Sequence, residues 1–131
     1  MAEFTRLWNT NVVGTFNVMS RAAAAMLNNK PDTDSERGVI INTSSVAGEE
    51  GNAGMLGSAA AKASPLGMTR PAAREFAGHG IRVNTIIADH FDTPILDVTG
   101  REGAAGQIKF FPNHHRLGKS RRVRGVRSAH R

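Results

Sequence analysis

The chain contains no cysteine and no tyrosine. The first absence excludes a disulfide framework and any thiolate metal site. The second removes the phenol, a side-chain acid with a pKa of about 10. Aromatic residues make up only 5% of the chain. No apolar run is long enough to span a bilayer. The N-terminus lacks the basic, apolar and small-residue order of a secretory signal, so the cytoplasm is the expected compartment. His79, His90, His114, His115 and His130 have no partners at metal-ligand spacing, and no metal site is expected.

The 131 residues present suffice for one small domain. Their net charge of +6 is unevenly placed. Residues 1–100 hold eight basic and ten acidic side chains, whereas 101–131 hold nine basic and one acidic, Glu102. The expected organisation is therefore a mildly acidic body, 1–100, and a basic tail, 101–131. The end of that tail, RLGKSRRVRGVRSAHR, has too little apolar surface to offset its ordering entropy and reads as disordered. It could contact phosphates. Beyond Phe110 and Phe111 it offers no aromatic for base stacking, so nucleic acid is not the expected partner.

Within the body, apolar residues at Phe4, Leu7, Trp8, Val12, Phe16, Met19, Ala23, Met26 and Leu27 follow helical spacing. They predict one long helix, weakened locally by Asn11 and Gly14. Asn28 to Arg37 is a polar loop. Val39-Ile40-Ile41 reads as a short strand buried on both faces, ending in four hydrogen-bonding side chains, Asn42-Thr43-Ser44-Ser45. A loop with Gly48, Gly51, Gly54 and Gly57 follows. A second helix is expected over Ala59–Phe76, kinked or broken by Pro65 and Pro71. Ile81 to Ala88 is the second strand. Strand, helix and strand at this spacing form a βαβ unit with parallel strands. In such sheets ligands gather at the carboxyl ends of the strands. That rule points to Asn42–Ser45 and to the Asp89–Leu96 loop.

Five segments carry a family likeness: TNVVGTFNV, GVIINTSSVAGEEG, SAAAK, GMTRPAAREFAGHGIRVNTI and FDTPIL. In this order and spacing they resemble the later half of a short-chain dehydrogenase/reductase, nearest to the branch of hydroxyacyl-CoA and hydroxysteroid dehydrogenases. A fainter likeness continues into QIKFFPNHHRLG. The resemblance implies an α/β, Rossmann-type fold with parallel strands flanked by long helices. It also implies hydride transfer between NAD or NADP and a small hydroxy or keto substrate. By position, Asn11 corresponds to the asparagine that holds a proton-relay water. Ser45 corresponds to the serine bonded to the substrate oxygen, and Lys62 to the lysine at the cofactor ribose. Thr43 and Thr93 fall on the nicotinamide side.

The departures from that pattern bear on activity. The family's Tyr-x-x-x-Lys motif has Ser58 where tyrosine stands, four residues before Lys62. An aliphatic hydroxyl is a far weaker acid than a phenol, and general acid–base help is typically worth about 10²–10⁴-fold. A Ser58–Lys62 nucleophile pair is the rival chemistry; nothing else in the chain supports acyl transfer. No glycine-rich cofactor turn of the G-x-x-x-G-x-G kind is present; by register it would precede Met1. Ala88-Asp89 replaces the usual Pro-Gly, Pro65 interrupts a helix, and the basic tail does not continue the family pattern. The tail reads as a frame-shifted or misassembled terminus. The expectation is a dehydrogenase half of impaired activity. The alternative is a non-catalytic module whose long helices dock on dehydrogenase subunits.

Overall fold

A computed structural model of the chain describes residues 1–51, 53–94, 96 and 117–119. They divide after Ala88 into two units.

In the first unit, α1 (Ala2–Trp8) runs through a π turn (Asn9–Val13) into α2 (Gly14–Met26). Then come β1 (Gly38–Ser45), a 3-10 turn (Val46–Gly48), α3 (Leu56–Ala77) and β2 (Ile81–Ala88). The strands pair in parallel, from Gly38 opposite Ile81 to Ser45 opposite Ala88. This is the βαβ unit expected from the spacing.

The single helix expected over Phe4–Leu27 is instead two α-helices joined by a wider turn. The Gly14 amide donates to the Asn9 carbonyl, five residues back. In the neighbouring turn the Asn11 side chain donates to the Leu7 carbonyl at 3.0 Å. A π turn shifts the backbone partners by one residue, and this amide serves a carbonyl one normal helical turn back. Farther back, the Phe4 and Trp8 rings stack with centroids 5.7 Å apart.

The polar loop before β1 is tied down by its own side chains. Asp32 Oδ1 accepts from the Asp34 and Glu36 amides at 2.9 and 2.8 Å, an arrangement that suits Asp in turns. Gly80, at φ +70, lies against this loop; a Cβ there would come within 2.2 Å of the Ser35 carbonyl oxygen. Only glycine fits.

β1 is longer than Val39–Ile41. Asn42 to Ser45 belong to the strand and alternate across it. Ile40, Asn42 and Ser44 are buried, whereas Val39, Ile41 and Thr43 are exposed. The expectation of cover on both faces therefore holds for one face only among the described residues.

α3 is one helix through both Pro65 and Pro71; of the two outcomes expected, a kink or a break, the break does not occur. Pro65 has no amide for the Ala61 carbonyl. The Ser64 hydroxyl donates to that carbonyl instead, at 2.8 Å, while the Pro65 ring is fully buried. Pro71 and Gly67 lie on the exposed side, where water can serve the carbonyl that Pro71 leaves.

Met19, Ala23, Ile40, Ala72, Ile81 and Val83 form the core, with Met26, Met68 and Phe76 packed around it. α2 and α3 thus cover the same face of the sheet. A polar tie joins α3 to β2: Thr69 Oγ1 donates to the Pro65 carbonyl at 2.6 Å and also hydrogen-bonds Thr85 Oγ1.

In the second unit, Phe91 forms a parallel bridge with Gly118. Gly118 donates its amide to the His90 carbonyl, and Asp92 donates to the Gly118 carbonyl, both at 2.9 Å. Leu117–Lys119 lies inside the tail expected to be disordered, yet these three residues are placed by this bridge. The remainder of the tail, including Phe110, Phe111, His114 and His115, lies outside the described residues.

Candidate functional site

α3 packs against every other element of the first unit. It therefore decides which side chains can meet. Ser58 and Lys62 stand four residues apart on it, which places them on one face, one turn apart. Both are half-buried. The π turn bearing Asn11 packs on α3, as do the 3-10 turn and β1. Asn11, Ser45, Ser58 and Lys62 thus sit on segments that share α3 as a common support.

Two contacts fix how high α3 rides on β1. The buried Ser44 hydroxyl donates to the Lys62 backbone carbonyl. Gly48 lies against the same turn: a Cβ on it would fall 2.6 Å from the Lys62 carbonyl carbon and 2.7 Å from the Ala63 nitrogen. The turn leaving β1 can approach the helix this closely only because residue 48 has no side chain.

Of the four polar residues from Asn42 to Ser45, two serve the interior. Asn42 Nδ2 contacts Met19 Sδ at 3.6 Å, and Ser44 holds α3. Thr43 and Ser45 project to the other side of the strand. Ser45 is half-buried and its hydroxyl accepts from the Ala47 amide at 3.2 Å, capping the 3-10 turn. That bond uses an acceptor lone pair and leaves the hydroxyl proton available to another oxygen. Asn11 is half-buried, with one amide hydrogen committed to Leu7. The Lys62 ammonium makes no ion pair among the described residues.

Thr93 lies in the second unit. Its hydroxyl donates to the Phe91 carbonyl at 3.3 Å. Beside it, His90 Nδ1 and Asp89 Oδ1 lie 2.8 Å apart, and the His90 amide also bonds that carboxylate oxygen at 2.7 Å. The sequence reading passed over this pair; adjacent Asp and His at a strand exit were the signal for it. No cluster able to hold a metal occurs among the described residues, and no described helix is long and apolar enough to cross a membrane.

Sequence reasoning also missed the packing roles of Ser44 and Gly48. Ser44 looked equivalent to Ser45, and only the strand's alternation separates the helix tether from the outward hydroxyl.

Residues 1–102 match the family model described as short chain dehydrogenase. The 3-hydroxyacyl-CoA dehydrogenase type-2 of Drosophila melanogaster is 41% identical over 119 residues, covering 91% of this chain and 47% of that protein. The protein of the same name from Bos taurus is 48% identical over 113 residues, covering 84% and 43%. The crystal structure of 3-hydroxyacyl-CoA dehydrogenase type-2 from Mycobacterium avium superimposes with a TM-score of 0.81 at 40% identity, over 90% of this chain and 46% of that one. The chain spans less than half the length of these relatives.

Proposed function

We infer that the chain, which belongs to the short-chain dehydrogenase family, carries the substrate side of an NAD(P)-dependent oxidoreductase for hydroxyacyl-CoA or related hydroxy and keto compounds, with activity strongly reduced by Ser58. The observation that carries this reading is the placement of Ser58 one turn before Lys62 on the helix that also supports Ser45 and Asn11. The relatives' names supply the substrate class.

Each residue has a role that its setting supports. Ser45, with its proton free, would hydrogen-bond the carbonyl or hydroxyl oxygen of the substrate. Asn11, at the π turn, would hold a water in the proton path. Lys62 would hold the cofactor ribose, with Thr43 toward the nicotinamide; the nicotinamide-side role of Thr93 rests on the family likeness alone. The chain has a group of suitable chemistry for each of these contacts, and a nicotinamide cofactor would supply the hydride. Ser58 is the exception. A serine hydroxyl at this point can hydrogen-bond the substrate oxygen but is too weak an acid to protonate it as hydride arrives. The cytoplasm remains the compartment this reading assumes.

The test is NADH oxidation with acetoacetyl-CoA by the purified protein. The expected outcome is turnover at or near background. A rate ordinary for a dehydrogenase, on the order of 10 s⁻¹, would overturn the reading.

A further inference from the structure

The part of α3 that carries Ser58 and Lys62 has little to lock it by packing. From Gly57 to Ser64 the sequence is GSAAAKAS, so Lys62 alone has a side chain larger than a hydroxymethyl group. Bulky side chains lock packed helices by setting ridges into grooves. Alanine and serine leave shallow relief, and apolar contact is non-directional. The larger α3 side chains packed on the core, Met68 and Phe76, lie farther along the helix. A helix seated in this way can slide by small shears.

Two contacts supply the missing register. The Ser44 hydroxyl donates to the Lys62 carbonyl, and a hydrogen bond has a preferred length and direction that apolar contact lacks. Gly48 seats the 3-10 turn on the same peptide group, where a Cβ would come within 2.6–2.8 Å of the Lys62 and Ala63 backbone. That turn is itself capped by Ser45, whose Oγ accepts from the Ala47 amide at 3.2 Å. The circuit closes on itself. It runs from Ser44 to the Lys62 carbonyl, from the Lys62–Ala63 peptide to Gly48, through the capped turn to Ser45, and by one peptide bond back to Ser44. Consecutive strand residues face opposite sides, so one serine holds the helix while the next keeps its hydroxyl proton for another oxygen.

We propose that Ser44 is a positioning residue: by holding the Lys62 carbonyl it fixes where the Lys62 ammonium stands relative to the Ser45 hydroxyl, so that one cofactor and one substrate can meet both. The proposal rests on the assignment of Lys62 to the cofactor ribose. Ser44 touches neither ligand and acts through Lys62. A misplacement of about 1 Å at such a site can cost about 10²-fold in rate, so the bond matters more for placement than for stability.

The experiment compares the full chain with Ser44→Ala, Ser44→Thr and Thr85→Val. The carbon-13 signal of the Lys62 carbonyl reads the clamp, because it moves upfield when a donor is lost. Nitrogen-15 order parameters read the stiffness of the Lys62 and Ala63 backbone, and NADH fluorescence reads cofactor affinity. Ser44→Ala should shift that carbonyl upfield, lower the order at Lys62 and Ala63, and weaken NADH binding about tenfold. Ser44→Thr keeps the hydroxyl on a residue suited to strands and should restore all three. Thr85→Val removes the bond between β2 and Thr69 of α3. It should lower stability and leave the Lys62 carbonyl and the NADH affinity as they are. An unmoved carbonyl in Ser44→Ala would overturn the proposal. So would NADH binding indifferent to Ser44→Ala, or weakened equally by Thr85→Val, which would reduce the effect to general loosening. A chain whose Lys62 signals respond as expected, but which binds no NADH in any form, sustains Ser44 as the residue that places Lys62 and counts only against the dehydrogenase reading.

Discussion

The Ser44 hydroxyl donates to the backbone carbonyl of Lys62, so the end of β1 is bonded directly to the turn of α3 that carries the conspicuous lysine. Ser44 is 2% exposed, and little water competes for this bond. Its removal by Ser44→Ala should cost about 1 kcal/mol, the usual net value of one hydrogen bond. The carbonyl keeps its helical partner, so the loss stays modest. Urea unfolding followed by circular dichroism checks it. No change in midpoint would show that the contact does not bear on stability.

Gly48 and Gly67 make a matched pair of glycine-to-alanine tests. At Gly48 the new methyl would meet the Lys62 and Ala63 backbone at 2.6–2.8 Å. Backbone cannot rotate aside, so Gly48→Ala should destabilise by about 1–3 kcal/mol. At Gly67 nothing lies within 4 Å of a Cβ. There, inside a helix, alanine should stabilise by about 0.5–1 kcal/mol. Opposite signs in the same denaturation assay are the expected result.

The two prolines of α3 give a third test. Ser64 supplies the donor that Pro65 lacks, so Ser64→Ala leaves the Ala61 carbonyl without it. Ala61 is 1% exposed; an unpaired buried carbonyl costs about 1–3 kcal/mol. Pro71 is exposed, and among the described residues no side chain takes the place of its missing donor. Pro71→Ala should raise stability, by no more than the roughly 3 kcal/mol that interior proline costs. Thermal unfolding of the two variants should therefore move in opposite directions.

How far the sequence could be read depends on which force shaped each segment. The second strand, Ile81–Ala88, was legible because β-branched residues alternate there between turn signals. The first was shortened to Val39–Ile41 because Asn42 and Ser44 are polar yet buried; their partners, Met19 and the Lys62 carbonyl, lie 23 and 18 residues away. Proline propensity argued for a broken α3, but a neighbouring hydroxyl and a buried ring outweighed it. Gly14 and Asn11 signalled a weak helix without saying that the weakness would take the form of a π turn. Ser58 and Lys62 were found by likeness to a family motif, whereas Ser45 was also indicated by its place at the carboxyl end of a strand. The exposure of Val39, Ile41 and Ile86 was illegible in a single sequence. An apolar strand reads as buried whether or not the layer that covers it is present.

The chemical prediction concerns Ser58. Ser58→Tyr returns a phenol to the position one helical turn before Lys62. A nearby ammonium lowers a phenol's pKa from about 10 and makes it a usable proton donor near neutrality. General acid catalysis is typically worth about 10²–10⁴-fold, and a gain of that order is expected in NADH-dependent reduction of acetoacetyl-CoA. The rate is measured over a range of NADH concentrations, with NADH binding followed separately by fluorescence, so that a loss of cofactor binding is told apart from a loss of proton transfer. Ser58→Phe fills the same volume without the hydroxyl and should give no gain. If Ser58→Phe matches Ser58→Tyr, the effect comes from packing and not proton transfer. If neither variant moves the rate while NADH binds, residue 58 does not face the reacting oxygen, and Lys62 and Ser45 lose the roles assigned to them.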